Sequence, residues 1–412
     1  MASTTPSSGA QVTADDILRA EAAVRDVVRH TPVLPSLTLS QRTGANVLVK
    51  AESLQRTGSF KLRGALNKLA ALGDGCTAGV TAGSAGNHAQ ALAHAARARG
   101  VPCEVFMPAG APVGKVEGAI ELGATVRVGG DSVDECVAAA RERAEDAGMA
   151  FVHPFDDPDI VAGQGTLGLE LLADVPELAK VVVPLGGGGL ASGMAIAIKS
   201  ARPEVTIVGV QAAACAAFPD SLRAGAPRTA TPALTIADGI AIKRPGGLTL
   251  GLVQRFVDDV VVVGEDDVAE AMVLLMAKSK LVVEGAGAVG VAALLAGVVT
   301  PAERGATVVV LSGGNVDADL LANVFRRHET EAGRRLALFT RVSDRPGALA
   351  RLLTCIGAAG ANVVEVQHVR EGVELHVRET AVQIVLETRS REHAAAVLAA
   401  IADAGYSARR VQ

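Results

Sequence analysis

The sequence predicts an α/β protein built on parallel sheets, followed by a small module of separate fold. Three observations predict it. From Ala78 onward, short apolar runs, Gly-rich turns and helical stretches alternate, as parallel strands joined by crossover helices do. The runs Lys180–Val183 and Thr307–Leu311 carry no alternating polar face, the mark of strands buried on both sides. The pattern then changes after the charged stretch His328–Arg335.

In chain order, Ile17, Leu18, Ala20, Val24, Val27 and Val28 recur at helical spacing, predicting a helix over Thr13–Val28 that starts near Thr13 or Asp15. Thr31–Leu34 reads as extended and Asn46–Lys50 as a strand. Lys61 follows Thr57-Gly58-Ser59-Phe60 and precedes a helix over Leu62–Leu72, with Ser59 as its expected cap. Gly79–Thr81 leads through Ala82–His88 into a helix over Ala89–Arg99. Strands follow at Cys103–Met107, Thr125–Val128 and Phe151–His153, with helices over Val113–Glu121 and Ser132–Ala147 between them, so that residues 80–155 form a compact subdomain. Next come a helix over Gly163–Leu172 and the strand Lys180–Val183. A turn, Pro184–Leu190, then opens the helix Ala191–Ala201. Strands at Val205–Val210, Val257–Val263 and Thr307–Leu311 and helices at Asp266–Ala277 and Asp317–Arg327 complete the large domain, 13–327. Residues 1–12 read as a disordered tail, 328–335 as a linker, and 336–412 as a β-α-β-β-α-β module. Its first helix is expected to be capped by Ser343 or Asp344, with Pro346 in the first turn.

At 412 residues and 49% hydrophobic content, the chain is long enough for a sizeable core. A net charge of −5 and an aromatic fraction of 2% exclude the basic patches and stacking platforms of nucleic-acid binders. The long uncharged runs are broken by Pro and Gly, which argues against membrane spans. Five scattered cysteines without a C-x-x-C pair fit neither a zinc site nor a disulfide framework, and point to a reducing cytoplasm.

Four motifs carry chemistry. Taken alone, Lys61 at a loop–helix junction is ordinarily a solvated cation. Gly186-Gly187-Gly188-Gly189 ends a strand and opens a helix. Backbone N–H groups and the helix dipole there suit a phosphate, although such a turn is also a common structural device. Ser84-Ala85-Gly86-Asn87-His88 is a second loop-to-helix turn able to hold an anion, and Ser312-Gly313-Gly314-Asn315 closes the last buried strand.

In this order, the four motifs resemble the tryptophan-synthase-β-like, fold type II pyridoxal phosphate enzymes. The resemblance implies that Lys61 forms the Schiff base with pyridoxal 5′-phosphate and acts as the catalytic base. It further implies that Phe60, Asn87, Gly186, Gly187, Gly188, Gly189, Leu190, Glu284 and Ser312 hold the cofactor. Asn87 would face the ring hydroxyl and Ser312 the ring nitrogen, a milder electron sink than an aspartate provides. Ser84, Ala85, Gly86, Asn87 and His88 would bind the substrate. The C-terminal module resembles an ACT domain, with Asp344, Arg345, Pro346, Gly347, Ala348 and Leu349 as the expected effector turn.

Within the family, the full-length resemblance is to threonine dehydratases carrying one ACT domain. It implies deamination of L-threonine to 2-oxobutanoate, with L-serine as a further substrate, in isoleucine synthesis or threonine breakdown. It also implies isoleucine or valine control and a homodimer or homotetramer. Serine racemase and 3-hydroxyaspartate dehydratase are the alternatives, and a non-catalytic amino-acid sensor is the remote one. Where serine racemase carries a serine before Gly-Asn-His, Ala85 stands here and cannot pass a proton. Where some relatives hold a divalent cation, Gln211, Cys215 and Ala217 stand here without a carboxylate, so no metal is expected.

Overall fold

The computed structural model describes residues 12–231, 233–370 and 375–411. The chain divides into two compact units, Met1–Asp317 and Ala318–Gln412.

The first unit contains two sheets. The strands are β1 (Val33–Pro35), β2 (Asn46–Ala51), β3 (Val80–Gly83), β4 (Cys103–Met107), β5 (Thr125–Val128), β6 (Ala150–Phe151), β7 (Leu178–Pro184), β8 (Thr206–Ala212), β9 (Asp259–Val263) and β10 (Ala306–Leu311). The larger sheet has the order β1-β2-β10-β7-β8-β9 and the smaller β5-β4-β3-β6. Apart from the antiparallel edge strand β1, all neighbours run parallel. β10 is buried at every position, as its unbroken apolar run requires. The smaller sheet lies within the subdomain expected at residues 80–155, whose Val80, Ala82, Leu92, Val105 and Met107 share one core with Leu62 and Leu69.

Several boundaries differ from expectation, each for a local reason. The tail assigned to 1–12 lies outside the described residues except Val12, which packs with Ile17, Ala20 and Val161. The first helix is Ala14–Val24, fixed by a capping box between Thr13 and Asp16. The helix expected over Gly163–Leu172 spans Pro158–Asp174, because Asp157 caps it and Pro158 occupies the first turn. Ser59 does not cap the lysine helix. Phe60 stands at that position, and the Ser59 hydroxyl is buried without a partner, because Ser59 is drawn into a backbone bridge with Gly313. Asn87 and His88 belong to the helix Asn87–Arg99, which starts two residues before Ala89.

The second unit begins with the helix Ala318–Glu331. It runs four residues past Arg327, so the first half of the expected linker is helical. Strands β11 (Arg335–Ser343), β12 (Asn362–Val369), β13 (Glu379–Glu387) and β14 (Ala408–Arg410) form an antiparallel sheet in the order β12-β13-β11-β14. Helices Ala348–Ala358 and Arg391–Asp403 complete the expected β-α-β-β-α-β order. Their core of Leu338, Leu352, Ile356, Ile384 and Val397 is the unit's own. Neither Ser343 nor Asp344 caps the first of these helices. Asp344 is held by Arg370 in a two-point contact at 3.0 and 3.1 Å, and Gly347, at φ +80°, turns the chain into the helix.

Candidate active site

The lysine loop is clamped to the end of β10. Phe60 N donates to Ser312 O at 3.1 Å, and Gly314 N donates to Gly58 O at 2.9 Å. Lys61 opens the helix Lys61–Leu72 and faces a cavity. Its Nζ donates to the Pro154 carbonyl at 2.8 Å. Burial lowers its pKa from 10.5 to about 8, partly opposed by the negative charge of Glu284. An amine so placed is neutral in part near physiological pH, as a nucleophile or base must be.

Phe60, Lys61, Asn87, Gly186, Gly187, Gly188, Gly189, Leu190, Glu284 and Ser312 line this one cavity. They come from regions as distant as residues 60 and 312, brought together because β2 and β10 are neighbours and β7 lies on the far side of β10. The glycine turn precedes the helix Gly189–Ala201, whose start has no side-chain cap. Its first N–H groups therefore lack intrahelical partners. A Cβ on Gly187 would fall 2.2 Å from the Phe155 ring, and Gly188 adopts φ +95°. These residues must be glycine to make the turn, and what the turn offers is a cradle for an anion.

Glu284 is buried, and desolvation together with the negative charge of Asp238 pushes its pKa up to about 7. It accepts from Asn87 Nδ2 at 2.6 Å. His88 turns away from the cavity: its Nε2 donates to Val152 O at 2.9 Å, and burial pushes its pKa down to about 3. Ser84 Oγ accepts from Gly86 N at 3.3 Å, so this turn is internally braced. Ser84, Ala85, Gly86 and His88 do not form part of the cavity wall. The wall does include Pro154, Phe155, Gln164, Gly239, Ile240 and Ala286, none of which the sequence motifs single out. His153-Pro154-Phe155 at the end of the small-sheet region was the available signal.

At the position matched to a cation site, Gln211 is already engaged. It donates to Leu185 O at 3.1 Å and accepts from Phe218 N at 2.9 Å. Burial pushes the Cys215 thiol up to about 11, which keeps it protonated and a poor ligand. The turn Asp344–Leu349 belongs to the second unit.

A buried amine of depressed pKa facing an anion cradle defines an enzyme that works through a carbonyl cofactor bearing a phosphate. The chain belongs to the pyridoxal-phosphate dependent enzyme family, whose sequence model matches residues 24–314. The cofactor is pyridoxal 5′-phosphate, and the site's donors fit it: the buried Lys61 amine, and N–H groups where a phosphate would rest. The chain is 42% identical to an L-threonine ammonia-lyase of Thermotoga maritima, over 97% of this chain and 100% of that protein. It is 45% identical to an L-threonine ammonia-lyase of Geobacter sulfurreducens, over 95% and 97%. Among solved structures, the processed form of threonine deaminase isoform 2 from Solanum lycopersicum superposes with a TM-score of 0.71 at 32% identity, covering 78% of this chain and 94% of that one. Maize serine racemase superposes with a TM-score of 0.73 at 34% identity, covering 78% and 98%.

Proposed function

We propose that this chain deaminates L-threonine to 2-oxobutanoate and ammonia by eliminating the β-hydroxyl, and accepts L-serine as a smaller substrate. One observation carries the choice of reaction: the cavity offers a single lysine amine, and the turn beside Asn87 carries Ala85, which has no proton to give. Elimination needs one base at the α-carbon, whereas racemisation needs an acid/base on each face. The near-full-length likeness to two L-threonine ammonia-lyases supports the same reading.

In this reading Lys61 attaches the cofactor, Asn87 meets its ring oxygen, Ser312 its ring nitrogen and Gly186–Gly189 its phosphate. When bound, the cofactor supplies an electron sink that acidifies the substrate's α-carbon. Lys61 Nζ takes the α-proton. Its lowered pKa leaves part of it neutral, and the Pro154 carbonyl fixes its direction. The turn Ser84–His88 holds the substrate carboxylate at its Asn87 end, where it reaches the cavity, through the N–H groups at the uncapped start of the helix Asn87–Arg99. Phe155, Ile240 and Ala286 in the wall exclude bulk water from the reacting atoms.

An assay of L-threonine, L-serine and 3-hydroxyaspartate with chiral product analysis tests this. The expected products are 2-oxobutanoate from threonine and pyruvate from serine; D-serine forming at a comparable rate overturns the lyase assignment. The second unit serves as an ACT domain that binds isoleucine or valine near Asp344–Leu349, and the enzyme works in the cytoplasm as a homodimer or homotetramer. The antiparallel sheet backed by two helices supports the ACT reading. Asp344, paired with Arg370 beside Gly347, supports the effector turn.

A further inference from the structure

We propose that Asn315 is a positioning residue that fixes which face of the Asn87 amide the cofactor meets. This rests on the reading that pyridoxal phosphate occupies the cavity with its ring oxygen beside Asn87. Asn315 Nδ2 donates to Asn87 Oδ1 at 2.6 Å and to Thr57 O at 2.9 Å, with Gln90 Oε1 a third acceptor at 3.1 Å. Asn87 in turn donates through Nδ2 to Glu284 Oε1 at 2.6 Å. A primary amide has one carbonyl and two N–H donors. The Asn87 carbonyl takes the Asn315 donor, and one N–H is spent on Glu284. One N–H of an amide group that lines the cavity remains, and an oxygen placed there receives a donor instead of facing a second lone pair.

The backbone makes room for this chain. A Cβ on Gly58 would fall 2.3 Å from Asn315 Oδ1, and one on Gly313 would fall 2.2 Å from Glu284 Oε1 and 3.2 Å from Asn87 Nδ2. The glycines of the lysine loop and of Ser312–Asn315 thus accommodate the two ends of one amide relay. Without Asn315, the Asn87 carbonyl loses its donor and only the contact with Glu284 holds the amide's orientation; an amide that turns its carbonyl to the ring oxygen would repel a negative oxygen there.

The test is the absorption spectrum of the holoenzyme across pH, which reports protonation at the ring oxygen. Asn315→Asp retains size but replaces the donor with an acceptor, and Asn315→Ser is too short to reach Asn87. Both are expected to shift intensity from the visible band to the ultraviolet band and to move the pH midpoint between them by about one unit. Both should lower kcat about tenfold, the equivalent of one hydrogen bond, with KM for L-threonine nearly constant. Asn87→Ala is the reference: an unchanged spectrum in that variant overturns the cofactor placement and this inference with it. A spectrum altered by Asn87→Ala but by neither Asn315 variant overturns the inference alone, as does a loss of thermal stability in the Asn315 variants without a spectral change.

Discussion

Lys61 and Glu284 are both held away from their solution pKa values by burial, in opposite senses. For Lys61 the folded value of about 8 lies below 10.5 in the unfolded chain. Between those pH values the unfolded chain binds more protons, so this residue's contribution to stability rises with pH across that window and is unfavourable below it. In the cofactor-free protein, Lys61→Met should therefore raise stability at pH 7, by up to about 3 kcal/mol, and lose that advantage as pH approaches 10.5. Urea denaturation at about pH 7 and about pH 10 checks this, and an equal effect at both pH values would show the lysine is not desolvated. Glu284, raised to about 7 from 4.5, works the other way: its contribution to stability falls as pH rises from 4.5 to 7 and stays unfavourable above that. Lys61 was legible in the sequence because Thr57–Lys61 is a distinctive string beside a helix. The Pro154 carbonyl was not, since every residue has a carbonyl and only the fold aims one at an amine. Asn315 was legible as a motif position, but its partners at Thr57, Asn87 and Gln90 lie 258, 228 and 225 residues away in the chain.

The helix that begins at Lys61 is anchored by a buried ionic network. Arg63, fully buried, donates to Glu52 through Nε at 2.9 Å and Nη2 at 2.8 Å, and to Glu170 through Nη1 at 2.7 Å. Lys50, also fully buried, lies 2.7 Å from Glu170 and 3.1 Å from Asp174. Strand β2, the lysine helix and the helix Pro158–Asp174 are thereby joined two residues from the reactive amine. The facing Glu52 and Glu170 carboxylates outweigh the desolvation of Arg63 and hold its pKa above the ordinary value. Removing one partner strands the others in a low dielectric. Arg63→Met should cost about 3–5 kcal/mol, read as a lower denaturation midpoint with an unchanged slope; a loss below about 1 kcal/mol would show that the network contributes little. Elements with strong periodicity, such as Val113–Glu121, stand where the sequence puts them. The short helix Leu37–Thr43 leaves no mark in the sequence pattern: it has seven residues, no side-chain cap, and one buried residue, Leu39. With so little apolar periodicity, its helical state is set by tertiary contacts.

Two units with separate cores imply separable activities. A chain ending at Asp317 is expected to retain threonine deamination and to lose any response to isoleucine. Titrating isoleucine into full-length and shortened enzyme checks both, and inhibition that survives the deletion would place the effector in the first unit. The unit division was legible because residues 328–335 are charged and the periodicity changes around them; the boundary itself was not, because Ala318–Glu331 is amphipathic and reads equally well as the last helix of either unit. The order of strands has a further consequence, for synthesis on the ribosome. All four strands of the smaller sheet have emerged by residue 151, with short crossovers, and can pair while the rest is still being made. The larger sheet waits for β10, which inserts between β2 and β7 only once residue 311 is available. Ser312 and Asn315 follow directly, so the lysine loop cannot be clamped until most of the chain exists. Nascent chains stalled before residue 306 should thus hold a folded small sheet and a solvent-exposed Lys61 that does not retain pyridoxal phosphate, and cofactor capture becomes a late checkpoint on correct assembly.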